Sequence, residues 1–165
     1  MFDEAGEDEL LLAAMVQLGA KGGSIGGAAG GTITGFGGLS RAGGRGGARG
    51  AARGFKRTKK DVSTTLVSLP GTVEAASQLV LEALTAAGNL LGTEVRDGGG
   101  VALRAIVGVG IGGLNPAVVT AVVAAGPEGV AVVELRAAGR EGLIKQHPAD
   151  KALAKITAEL KVTPR

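Results

Sequence analysis

The spacing of apolar residues changes from a helical period to a strand period near Gly88, and this change constrains the fold more than any other feature. Between Val73 and Ala87 apolar residues recur at helical spacing, and Thr72 provides an N-cap. After Gly92 apolar residues alternate with polar ones, as in strands that bury one face. Short glycine-containing turns separate the alternating segments, so the sequence predicts antiparallel strands.

The predicted elements follow the order strand, helix, four strands, helix. The helices start at Thr72 and Pro148, and the predicted strands cover residues 63–69, 92–97, 103–111, 117–124 and 130–140. The side chains expected to face the core from the strands are Leu103, Ala105, Val107, Val109, Ile111, Val133, Leu135 and Ala137. The expected outward side chains include Arg104, Glu134, Arg136 and Arg140, and we expect arginines and acids to pair across neighbouring strands.

This order of elements resembles that of the TBP-like superfold, which includes the helix-grip (START and Bet v 1-like) proteins. The resemblance covers residues 61–165 and implies an α+β fold, with a curved antiparallel sheet in the order β-α-β-β-β-β-α packed on a long helix. It also implies that a small hydrophobic ligand or lipid could bind between sheet and helix. The candidate ligand-binding residues are Val80, Leu84, Leu91, Leu103, Val107 and Val133.

The first sixty residues differ in composition from the rest, because they hold 17 of the 31 glycines. We divide the chain into an acidic start with a Gly-rich apolar segment (1–40), a basic Arg/Gly linker (41–60) and a small α+β domain (61–165). In the first segment glycines recur at every fourth position, the glycine-zipper spacing by which helices associate closely. The candidate helix-association residues are Gly23, Gly27, Gly31 and Gly35. The alternative is a disordered Gly-rich tail, so the segment is expected to be partly helical or disordered.

The basic tract holds eight cations and no acid, namely Arg41, Arg45, Arg49, Arg53, Lys56, Arg57, Lys59 and Lys60. On a helix, residues four apart drift by about 40° per step, so the arginines would form no straight stripe. Like charges at this spacing also repel, and the tract is rich in glycine, so an extended coil is expected. Three interpretations remain: a solvated linker, a flank that contacts an anionic membrane surface, or a nucleic-acid contact.

Signatures of catalysis are sparse. The chain has no cysteine, and its single histidine, His147, is expected to lie at an N-cap or in a solvated loop. Neither a catalytic residue, a metal site nor a cofactor is predicted. The favoured function is that of a non-enzymatic, cytoplasmic protein that self-associates or associates with the inner face of the membrane. Its glycine-zipper segment and basic flank would tether the small TBP-like α+β domain. The alternatives are a hydrophobic-ligand module and, less favoured, nucleic-acid association through the Arg/Gly tract.

Overall fold

The computed structural model describes residues 4–34, 39–141 and 145–161, and it has the predicted α+β architecture. Its helices are α1 (Glu4–Thr34), α2 (Leu39–Phe55), α3 (Val73–Ala87) and α4 (Pro148–Glu159). Its strands are β1 (Lys59–Pro70), β2 (Gly88–Val95), β3 (Val101–Val109), β4 (Asn115–Ala125) and β5 (Val130–Glu141). The predicted elements of residues 61–165 are therefore present, with shifted bounds at several ends.

The five strands form one antiparallel sheet in the order β1-β5-β4-β3-β2. Strands β2 to β5 are a meander of short connections, whereas α3 carries the chain from β1 at one edge to β2 at the other. This connectivity is the predicted β-α-β-β-β-β-α order, and it is compatible with a helix-grip-like topology.

One face of the sheet, which we name the core face, is covered by α3 and α4. Leu103, Val119, Val133 and their neighbours on this face pack against buried residues of both helices, such as Leu84 and Ile156. Side chains alternate across each strand, so the residues between them lie on the opposite face. We name that opposite face the arginine face, because Arg104, Arg136 and Arg140 lie there.

Helix α3 begins and ends where its local signals predict. The Thr72 hydroxyl accepts a hydrogen bond from the Ala75 amide at 3.4 Å, and the Gly88 amide donates to the Leu84 carbonyl. In the first turn, hydrogen bonds from the backbone of Glu74 and from Thr72 hold the pKa of the Glu74 carboxyl below its usual value. Local capping therefore determines this helix as much as its apolar face does.

The basic tract is helical over most of its length, so the predicted coil is wrong for residues 41–55. Helix α2 packs antiparallel on α1, with Gly43 and Gly47 against the backbone of Gly19 and Gly23. Arg45 and Arg49 lie two residues beyond these glycines, which is about 200° around the helix, so the arginines point away from α1. The drift of about 40° per step is the same for the glycine row and for the arginine row, so the two rows stay on opposite sides of the helix. The close backbone contact between α1 and α2 offsets the low helix propensity of glycine.

The end of β3 also differs from the prediction. Ile111 was expected on the core face, but β3 ends at Val109 and Ile111 is 93% exposed. Gly110, Gly112 and Gly113 have positive φ angles of 75°, 64° and 70°, which end the strand and turn the chain. Large apolar residues alternate with glycine as far as Ile111, which is the spacing of a strand. For this reason the sequence pattern predicted a strand where the chain turns.

The glycine contact predicts opposite effects at two adjacent positions of α2. A Cβ at Gly46 would meet nothing within 4 Å, so Gly46→Ala should stabilise the helix by about 0.8–1.0 kcal/mol. A Cβ at Gly47 would overlap the Gly19 carbonyl, so Gly47→Ala should separate α1 from α2. Amide hydrogen exchange of α1 and α2 should therefore slow in the first variant and accelerate in the second. Equal effects of the two substitutions would contradict this packing.

Candidate functional site

The first turns of α1 lie on the arginine face and bring two acids to it. Glu7 is only 1% exposed, and its carboxylate accepts two hydrogen bonds from Arg136, at 3.0 Å from Nε and 3.3 Å from Nη2. Lys60 of β1 lies 3.1 Å from the same carboxylate. A bidentate contact of this kind orients both side chains and is among the stronger ion pairs in proteins.

The neighbouring Asp8 makes a second contact with the same face. Its Oδ2 lies 2.8 Å from Arg140 Nη2, and Lys60 lies 3.6 Å from its Oδ1. The Arg140 guanidinium also lies 4.1 Å from the centre of the Phe55 ring and donates to the Thr58 carbonyl. The end of α2 is therefore joined to the sheet by the arginine that binds the start of α1. We name Glu7, Asp8, Lys60, Arg136 and Arg140 the acid–base clamp.

The clamp differs from the predicted ion pairing of Arg136 and Arg140. Arg136 and Arg140 were expected to bind acids on neighbouring strands, but Glu7 and Asp8 of α1 bind them. Arg104, which is 4% exposed, donates from Nε to the Thr120 hydroxyl at 2.9 Å. Local patterning cannot reveal the Glu7–Arg136 contact, because 129 residues separate the two side chains. The only sequence signal was the run of acids before the first apolar segment.

Most of the predicted anion-contacting cations lie at the surface. Exposed side chains are those of Arg45, Arg49, Arg53, Lys56, Arg57 and Lys59. Lys60, by contrast, is engaged by Glu7 and Asp8 in the clamp. Arg41 belongs to α2, but its side chain lies outside the described residues. The predicted anion-contacting cations therefore fall into two groups. One group is exposed on α2 and on the residues that follow it, and the other is Lys60 in the clamp.

The predicted helix-association glycines are only partly described. Gly23 lies in the contact between α1 and α2, within one chain. Gly27 and Gly31 belong to α1, but their surroundings lie outside the described part, as does Gly35 altogether. Association between chains through this row stays a prediction.

The predicted ligand-binding residues lie in two different parts of the fold. Five of them are buried members of the core between the sheet and helices α3 and α4, namely Val80, Leu84, Leu103, Val107 and Val133. Leu91 is 38% exposed on the edge strand β2. The structure does not bring Leu91 into the same cluster as the other five, and ligand binding by this set stays a prediction.

A further group of ionisable side chains surrounds the start of α4. His147 occupies the predicted N-cap position, but Asp61 of β1 is the residue that accepts a hydrogen bond from the Ala149 amide, at 2.9 Å. Glu141 accepts one from the His147 amide at 3.1 Å, and one ligand atom from each of the three side chains lies within 4.8 Å of the others. The partial positive charge of a helix N-terminus stabilises carboxylates and opposes a cation. This group therefore caps α4.

Among the described residues, no helix is both long and apolar enough to cross a membrane. No protein-family model matches the chain, and a comparison with curated proteins gives no match either.

The clamp predicts that Glu7 and Glu9 contribute differently to stability. Replacing Glu7 by Gln removes the charge that Arg136 and Lys60 bind, and it should lower the free energy of unfolding by about 1.5–3 kcal/mol. Glu9 lies two residues away and is exposed, so Glu9→Gln should change that free energy by less than about 0.5 kcal/mol. Urea unfolding measures both values. Equal losses would mean that the clamp does not hold α1 on the sheet.

Proposed function

We propose that this protein is a non-enzymatic protein that binds the surface of anionic membranes through the exposed cations of α2 and of the segment following it. One observation carries the proposal. Residues 10–60 contain no Asp or Glu, and Arg45, Arg49 and Arg53 are all exposed on a helix whose other side is occupied by α1. Neither α2 nor the segment that joins it to β1 therefore contains an acid that could neutralise these cations.

The number of exposed cations is sufficient for surface binding. A Lys or Arg close to an anionic leaflet contributes about 1 kcal/mol, and the attraction decays within a Debye length of about 10 Å at moderate salt. Lys56, Arg57 and Lys59 extend the arginine row of α2 towards the start of β1. The cytoplasmic leaflet is the anionic one in cells, so the inner face of the membrane is the proposed location.

The placement of the aromatic residues favours a membrane over single-stranded nucleic acid. Proteins that bind single strands without sequence preference stack bases on exposed aromatic rings. The described part of the chain has one aromatic residue, Phe55, which is 9% exposed and covered by Arg140. Its ring is therefore not accessible to a base.

The packing of the glycine rows favours surface binding over self-association. The backbone approach that a glycine zipper provides is used between α1 and α2 of the same chain, at Gly19, Gly23, Gly43 and Gly47. At these four glycines a second chain would have to displace one of the two helices, whereas an anionic surface contacts the arginines without disturbing the pair.

Co-sedimentation with vesicles tests the proposal. The full chain should sediment with phosphatidylcholine vesicles that contain phosphatidylserine, should not sediment with pure phosphatidylcholine, and should be released by salt. The double substitution Arg45→Gln and Arg49→Gln should weaken partitioning by about 2 kcal/mol, which is roughly thirtyfold. Glutamine has nearly the helix propensity of arginine, so α2 should persist.

The matched control is the pair Lys151→Gln and Lys161→Gln, which removes the same charge from two exposed positions, one in α4 and one two residues beyond its end. This pair should leave partitioning unchanged within a few fold. Equal weakening by both pairs would indicate attraction to net charge alone and would contradict a role for α2. Binding to single-stranded RNA with no binding to anionic vesicles would replace the proposal with the nucleic-acid function.

A further inference from the structure

The loop between β3 and β4, residues 110–114, exposes its two large side chains to solvent. Ile111 is 93% exposed and Leu114 is 63% exposed. Its other residues are Gly110, Gly112 and Gly113, so the loop has no polar side chain of its own. The turns at the opposite end of the sheet are different, since they carry Asp97 between β2 and β3 and Glu128 between β4 and β5.

The conformation of the loop depends on its glycines. Gly110, Gly112 and Gly113 have positive φ angles, a region that β-branched residues such as Ile111 avoid. The loop is also anchored at its base, where the Asn115 side chain donates to the Gln146 side chain and Gly108 lies against Gly113. The backbone therefore holds Ile111 and Leu114 outward, away from the core that their neighbours Val107 and Val109 enter.

The loop lies at the end of the sheet where the exposed cations gather. The register places Lys59 and Glu141 opposite each other at this end, along with Val109 and Asn115. Lys56 and Arg57 directly precede β1, and Lys145 is adjacent to the Gln146 that contacts Asn115. The acids Glu141 and Asp61 at this end are hydrogen-bonded to the start of α4. The apolar tip thus lies at the same end of the sheet as the exposed cations Lys56, Arg57, Lys59 and Lys145.

We infer that Ile111 and Leu114 insert into the boundary between headgroups and acyl chains of the anionic membrane that the cations contact. The inference rests on the proposed function, and it assigns the apolar part of the binding to this loop. A single weak apolar or electrostatic signal gives only marginal, reversible membrane binding, whereas two signals combine to give stable attachment. The loop supplies the apolar signal and the cations at this end of the sheet supply the electrostatic one. A bilayer that contains phosphatidylserine offers acyl chains to the first and negative charge to the second.

The absence of tryptophan and tyrosine from the chain permits a direct test. In the full-length Ile111→Trp variant the indole is the only strong fluorophore and stands at the tip of the loop. The control is Val95→Trp, because Val95 is 78% exposed and lies at the opposite end of the sheet. With phosphatidylserine-containing vesicles, fluorescence of the first variant should shift to the blue and be quenched by brominated acyl chains. Fluorescence of the control should not change.

A second measurement tests the energetic contribution of the loop. The substitution Leu114→Ser should weaken vesicle partitioning by roughly tenfold, and Ile111→Ser by a similar factor, since each removes one inserted apolar side chain. The salt dependence should stay unchanged, because no charge is altered. Sedimentation of Ile111→Trp with vesicles but without a blue shift or quenching would overturn the inference and leave the proposed function standing. Failure of the unmodified chain to sediment with vesicles would overturn both.

Discussion

The alternation of side chains across the strands determines what can cover each face of this sheet. On one face alternation collects Ala, Val and Leu, which α3 and α4 bury. On the other it collects Arg104, Arg136 and Arg140, and an apolar helix placed there would cover Arg136 and Arg140 without the carboxylates of Glu7 and Asp8. A helix that covers this face needs acids in the right turns, and α1 provides Glu7 and Asp8. The start of the chain and the last strand therefore form one packing unit.

The hairpin of α1 and α2 follows from this docking. Glu7 and Leu11 of α1 are buried against β4 and β5. The glycines further along α1 are then available to the segment that connects α1 to β1. That segment is α2, and its last residue, Phe55, is buried with Leu11 beneath Arg140. The close glycine contact thus joins two helices that are each held at the sheet by one end. This arrangement directs the arginines of α2 to the outside.

Local signals in the sequence were sufficient to predict the order of the strands and helices α3 and α4, but not the structure of the segment before β1. The cap Thr72 and the stop at Gly88 act within a few residues, so a pattern reveals them. Ile111 was misplaced because strand alternation and turn glycines overlap in one short run. Helix α2 was not predicted because contact with α1 stabilises it, and the helix propensities of its own residues do not include that contact. The clamp was missed for the same reason, since its partners come from opposite ends of the chain.

These two features, a glycine-rich helix and an arginine row on its outer side, are energetically coupled. Six glycines in α2 cost about 5 kcal/mol of helix stability relative to alanine, and repulsion between arginines four residues apart adds to that cost. Contact with α1 offsets the first cost but leaves the repulsion in place. A surface that supplies negative charge relieves the repulsion, and by mass action it stabilises whichever conformation binds it better. Binding of an anionic surface and formation of α2 should therefore reinforce each other, because the helical form aligns the arginines on one side of the hairpin.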